Sequence, residues 1–168
     1  MSIDIYAADE QTDVVVDLER WVALADAALT DEGVHGLAEV SLIFLDEPAI
    51  SALNHQFMGK TGPTDVLSFP IDLEPEPTGR VPDSGGTGPG EPPPPEIPQL
   101  VGDIVICPSV AQRNAVEHEC TFDDEMALLV VHGVLHLLGW DHAVDEEAER
   151  MEQRERELLA RHYRRATT

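Results

Sequence analysis

Residues 121–142 read TFDDEMALLVVHGVLHLLGWDH, and this stretch decides the fold. Thr121 is a good N-cap, and Asp123, Asp124 and Glu125 fall in the first turn, where carboxylates suit the positive end of the helix dipole. Met126 to Leu138 is apolar nearly all round, so the pattern predicts a helix buried on every side. Such a helix must be enclosed by other elements of a globular core. His132 and His136 are four residues apart and project from one face of it. Gly139 can take the left-handed conformation that ends a helix, after which the chain can turn and bring His142 toward the same point. Three neutral imidazoles suit one Zn²⁺ ion and leave a fourth position for water. Such a metal lowers the pKa of its water toward neutrality and generates a nucleophile.

Working outward, the flanking sequence supplies the enclosure. Ile3 to Tyr6 reads as a short strand. Apolar residues at Val14, Leu18, Trp21, Val22, Ala25 and Leu29 predict a helix over 13–29, capped by Thr12 or Asp13 and ended by Gly33. Val40 to Leu45 is rich in β-branched and aromatic residues and reads as a strand. Asp46 then caps a helix with Pro48 in its first turn, carrying Ile50, Leu53 and Phe57. Met58 to Thr64 is a loop. Asp65 to Ile71 and Leu100 to Cys107 read as further strands, and a helix follows from Ser109 to His118. The last helix runs from Asp145 to about Tyr163, with Glu146–Arg150, Glu152–Arg156 and Glu157–Arg161 in the favourable i,i+4 order. The expectation is one α+β (α/β-like) domain over 1–168. It has a small mixed sheet of about four strands covered by about five helices, with the zinc site at the end of the buried helix.

Residues 72–99 differ in kind. They hold nine of the 13 prolines and five glycines with few large apolar groups. Such a segment cannot bury enough surface to offset its ordering entropy, so it reads as a flexible insertion between two strands.

The chain of 168 residues carries 10 basic and 33 acidic groups, a net charge of −23. That excludes a generic basic nucleic-acid coat; any RNA or DNA contact must be local. The charge is uneven. Residues 1–149 hold 30 acidic and 4 basic groups, whereas residues 150–168 hold 3 acidic groups and 6 arginines. Two cysteines, Cys107 and Cys120, do not make a disulfide scaffold, no secretory apolar segment opens the chain, and no apolar run reaches membrane-span length. A reducing cytoplasm is the expected location.

The spacing of His132, His136, Gly139 and His142 is that of the HxxxHxxGxxH box of a large class of zinc peptidases. Those enzymes place a general-base Glu directly after the first His, where this chain has Gly133. The ligands are kept and the peptidase base is not. Asp141, beside His142, has three readings: an acceptor for a ligand histidine, a general base, or a surface or capping acid. Cys107 or Cys120 could close the site as a fourth ligand; otherwise both are core thiols. His35, His55, His118 and His162 lack ligand spacing and read as ordinary surface or half-buried residues.

Three blocks together resemble the YbeY family of bacterial endoribonucleases. They are Leu53-Asn54 through Gly62-Pro-Thr-Asp65-Val-Leu-Ser68-Phe-Pro70, Gly102-Asp-Ile-Val-Ile-Cys107, and the histidine box. The resemblance implies a single α/β domain, zinc on His132, His136 and His142, single-strand-specific hydrolysis of RNA phosphodiesters, and work in late ribosome maturation and rRNA 3′-end processing. The implied partners are ribosomal RNA and the small ribosomal subunit, with basic ribosomal proteins as further candidates and no membrane. Many family members carry Arg where this chain has Met58, and an arginine there could grip a phosphate in bidentate fashion. Lys60, the sole lysine, is the candidate replacement as a phosphate contact. The Arg cluster at 150, 154, 156, 161, 164 and 165 is either a further RNA contact or a set of intrahelical partners for Glu. Two other functions stay open: a zinc metallopeptidase-like hydrolase, and a non-catalytic zinc-stabilised ribosome-assembly factor.

Overall fold

The structure, a computed structural model, describes residues 3–34, 38–70, 99–140 and 144–163. Its elements are β1 (Ile3–Glu10), α1 (Leu18–Asp31), β2 (Ala38–Leu45), α2 (Glu47–Met58), β3 (Val66–Pro70), β4 (Gln99–Ile106), α3 (Pro108–Glu117), α4 (Phe122–Leu137) and α5 (Asp145–Leu158). A π-helical turn, Leu159–Tyr163, extends α5. The expected mixed sheet of four strands under five helices is present. Strand order is β1-β2-β4-β3, with β1, β2 and β4 parallel and β3 antiparallel at one edge.

Alternation along the strands divides the core. Val40, Leu42 and Phe44 of β2 and Ile104 and Ile106 of β4 point to one face, where α1, α4 and α5 cover them with Trp21, Leu29, Met126, Val130, Leu135 and Met151. Leu67, Val105 and Cys107 point to the other, against Ile50 of α2 and Val110 of α3. α4 is the central helix, buried on nearly all sides as its sequence requires. Its N-terminus carries a full capping box: the Thr121 hydroxyl accepts from the Asp124 amide, and Asp124 accepts from the Thr121 amide.

Two glycines let α4 lie close on the sheet. β4 carries one residue more than β2 between Glu39 and Val40, a bulge around Gly102. Gly102 has φ of 144°, and a Cβ there would strike the Phe69 carbonyl and approach Leu137 Cδ1 to 2.7 Å. At Gly133 a Cβ would lie 2.7 Å from Ile104 Cγ2. The Ser68 hydroxyl donates to the Gly133 carbonyl at 3.0 Å, which ties β3 to the middle of α4.

Two expectations need correction. The first helix starts at Leu18, capped by Asp17, instead of near residue 13. The Gln11 side chain, 7% exposed, accepts from the Val14 amide and donates to the Val14 carbonyl, so 11–14 forms a turn and leaves Val15 in solvent. On α5, only Glu146–Arg150 pairs within the helix as expected, at 3.6 Å. Arg154 instead bonds Glu32 and Glu157, and Arg161 makes two bonds to Asp31, at 2.8 and 2.9 Å. These arginines fasten the C-terminal helix to the end of α1. Arg164 and Arg165 lie outside the described residues, as do 71–98 and hence nearly all of the Pro/Gly-rich insertion.

Candidate functional site

The chemistry-bearing histidines sit on the last two turns of α4, where the helix passes over the β3 edge. The His132 and His136 rings meet edge to face, with centroids 4.5 Å apart. His132 Nδ1 lies 2.5 Å from Glu155 Oε2 of α5. With Nδ1 donating to that carboxylate, Nε2 is the ring atom left with a lone pair, the arrangement that orients a histidine for a metal. Glu155 is only 7% exposed, between the fully buried Met151 and Leu158.

Both histidines line a cleft of about 400 Å³ with Asn54, Met58, Lys60, Asp65 and Ser68. The loop bearing Lys60 is held by Asn54, itself 5% exposed. Asn54 Nδ2 donates to the Gly62 carbonyl at 2.9 Å, and the Asn54 backbone carbonyl accepts from the Lys60 backbone amide at 3.3 Å. Asp65 closes the loop: its carboxylate accepts from Asn114 Nδ2 at 3.1 Å and its carbonyl from the Cys107 amide at 2.9 Å. The structure therefore brings Lys60 and Met58 into the cleft of His132 and His136.

Asp141 and His142 lie outside the described residues. What leads up to them is described. Gly139 has φ of 99°, the left-handed turn expected at the end of α4. Trp140 Nε1 donates to Glu32 at 3.0 Å, and Glu32 also holds Arg154, so α1, α5 and this turn share one polar anchor. Among the described residues no group of three or more His, Cys, Asp or Glu is posed to hold a metal. Two imidazoles on adjacent turns, one oriented by a buried carboxylate, could supply two of the donors that a metal site requires.

Cys107 is fully buried in the cluster on the opposite face of the sheet, and its thiol is pushed up by burial. Cys120 lies 3.7 Å from Glu125, and its thiol is also pushed up, first by burial. Neither lines the histidine cleft. His118 is a surface residue, as expected, but it has a buried partner: its Nδ1 lies 2.9 Å from Glu125, a carboxylate of α4 only 3% exposed. That contact holds the imidazole above its usual pKa, first through the hydrogen bond and then through the charge of Glu125. Glu155 was not singled out in the sequence, and Glu125 was read only as a first-turn acid. A signal existed for Glu155, since Met151, Glu155 and Leu158 share one helical stripe whose other members are apolar.

The fold and cleft define a class: small α+β proteins with an HxxxH pair where a buried helix crosses the edge of a four-stranded mixed sheet. The chain belongs to the endoribonuclease YbeY family, whose model matches residues 5–163. It is 45% identical over 161 residues to the endoribonuclease YbeY of Salinispora tropica, covering 95% of each chain. It is 41% identical over 161 residues to that of Thermobifida fusca, covering 95% of this chain and 93% of the other. A solution structure of a Thermotoga maritima protein has a similar fold, with TM-score 0.53 and 26% identity, covering 94% of this chain and 90% of that one.

Proposed function

We propose that this chain is a metal-dependent endoribonuclease that cleaves single-stranded RNA during late maturation of the small ribosomal subunit and rRNA 3′-end processing, working in the cytoplasm. The observation that carries the reading is the His132–His136 pair, with His132 oriented by Glu155, lining a cleft that also holds the only lysine. His132, His136 and His142 are the residues that would hold one Zn²⁺ per chain. When bound, such an ion supplies Lewis-acid polarisation of a phosphoryl oxygen and a water of lowered pKa.

The chain's own residues do the rest. Glu155 fixes the His132 ring and its tautomer. Asn54 and Asp65 hold the loop that presents Lys60, whose ammonium balances phosphate charge in a cleft on an otherwise acidic body. Met58 lines the same cleft as an apolar neighbour and offers no phosphate grip. Asp141, by its place in the sequence beside His142, is the candidate for proton transfer. Ribosomal RNA, the small subunit and its basic proteins are the partners this reading requires.

The peptidase reading loses ground to geometry. The position that would carry its general base is Gly133, where a Cβ would lie 2.7 Å from Ile104 Cγ2 of the sheet, so the packing leaves no room for a glutamate. The deciding experiment is metal analysis with an RNase assay on the purified protein, wild type beside His136→Ala, and a casein assay in parallel. Expected are one bound metal per chain, cleavage of single-stranded RNA that is lost in His136→Ala, and no proteolysis. RNA cleavage that survives His136→Ala at full rate would overturn the metal-site assignment; wild-type protein that binds metal but cleaves no RNA, with rRNA maturation in cells unaffected by His136→Ala, would favour the non-catalytic assembly role.

A further inference from the structure

The Lys60 cleft is one of two depressions that meet at His132. The second, also about 400 Å³, shares Asp65, Val66 and His132 with the first and extends the other way along α4. Its walls are apolar, with Leu128, Leu129 and Met151, and His118 lines it with its side chain 56% exposed. An endonuclease cuts inside a strand, so its substrate must continue from the scissile phosphate in both directions. A strand seated at Lys60 and His132 has this depression as its continuation.

We propose that the second depression is a nucleotide subsite: the base next to the scissile phosphate packs on its apolar wall, and the following phosphate is bound by His118. The proposal rests on the RNA-cleaving reading above. Four carboxylates line the depression, which at first argues against RNA. Three of them are engaged: Glu155 with His132, Glu125 with His118, and Asp65 with Asn114. Glu152, on the exposed side of α5, is the remaining one. A neutral base therefore suits the interior, and the phosphate suits His118. Glu125 and His132 are seven residues apart on α4, about 10 Å along the axis, so His118 reaches a neighbouring phosphate and not the scissile one. With Nδ1 committed to Glu125, Nε2 is the nitrogen that can donate outward. Glu125, Glu117 and Asp65 all face this imidazole and favour its charged form.

The test is RNA cleavage by the metal-loaded protein, with KM measured over a salt series. His118→Ala should raise KM several-fold and reduce the slope of log KM against log salt by about 0.7, one phosphate contact on a single strand. His118→Lys should restore both, which a merely structural role would not allow. Ala148→Phe, placed on the wall of the depression, should raise KM with little change in slope. Wild-type KM and slope in His118→Ala, with RNA cleaved normally, would overturn the subsite and leave the RNase reading standing. A wild-type protein that cleaves no RNA would overturn both. If His118→Ala fails to fold, as thermal melting would reveal, His118→Gln decides in its place: a slope lowered by about 0.7 supports the contact and a wild-type slope refutes it.

Discussion

Removing the carboxylate behind His132 should weaken metal binding while leaving the fold intact, and the size of the effect follows from the contact. Glu155 Oε2 lies 2.5 Å from His132 Nδ1 in a setting where Glu155 is 7% exposed. Glu155→Ala leaves the imidazole without its orienting partner. Losing such a partner typically costs 10–100-fold in metal affinity, about 1.4–2.7 kcal/mol. Glu155→Gln keeps the shape and still offers an oxygen to Nδ1–H, but a neutral one. The difference between charge-assisted and neutral hydrogen bonds is about 1 kcal/mol, close to fivefold in affinity. The order expected is therefore wild type, then Gln, then Ala. Competition for Zn²⁺ against a chromogenic chelator reads it directly, without RNA. Thermal melting of the metal-free proteins is the control, because Met151 and Leu158 still dock α5 in both variants. Equal zinc affinity in all three proteins would refute the orienting role, and with it the assignment of His132 as a ligand through Nε2.

Three further outcomes are expected. Lys60→Ala should raise KM for single-stranded RNA several-fold and lower the salt slope by about 0.7; an unchanged slope would make Lys60 a bystander. Gly133→Ala gains about 1 kcal/mol of helix propensity but forces a methyl against Ile104 Cγ2, an overpacking cost of about 1–3 kcal/mol, so urea unfolding should show a net loss of up to about 2 kcal/mol; a gain in stability would mean that α4 can lift from the sheet freely. Asp31 is held below its ordinary pKa of 3.8, first by His162 and then by Arg161. Its stabilising contribution is thus complete above that ordinary value and fades as pH falls through the lower folded value. Asp31→Asn should melt earlier than wild type near pH 7, with the gap closing at the acid end; a gap that widens in acid would refute the assignment.

What could be read from the sequence was local and strongly patterned. The N-cap at Thr121, the all-apolar run of α4 and the Asp46–Pro48 start of α2 each depend on a few adjacent residues, and each stands in the structure. In each misreading a specific side-chain contact outweighed the local pattern. An i,i+4 ion pair is worth about 0.2–0.5 kcal/mol, too little to keep Arg161 from the two oxygens of Asp31 on another helix. Val14 continues the apolar spacing of α1, yet one buried glutamine fixes the chain there as a turn. At the candidate site, the sequence placed His132 and His136 correctly because helical spacing alone puts them together. Glu155 escaped notice and Glu125 was read only as a first-turn acid, because each looks like one more carboxylate in an acidic protein and their partners come only from packing α5 and α3 against α4.

The same contacts change how a charge of −23 bears on an RNA substrate. Arg154 and Arg161 hold carboxylates of α1 and α5, so they add little attraction for a phosphate backbone. Along the track through His132, the cationic side chains are Lys60 at one end and His118 at the other. Two phosphate contacts on a single strand give a salt slope of only about 1.4, far below that of a basic RNA-binding protein. Free RNA would thus be held weakly and repelled by the rest of the surface. Under the proposed function that weakness would confer selectivity: a strand would be cut efficiently where something else holds it in place, as a ribosomal subunit displaying a precursor rRNA end would.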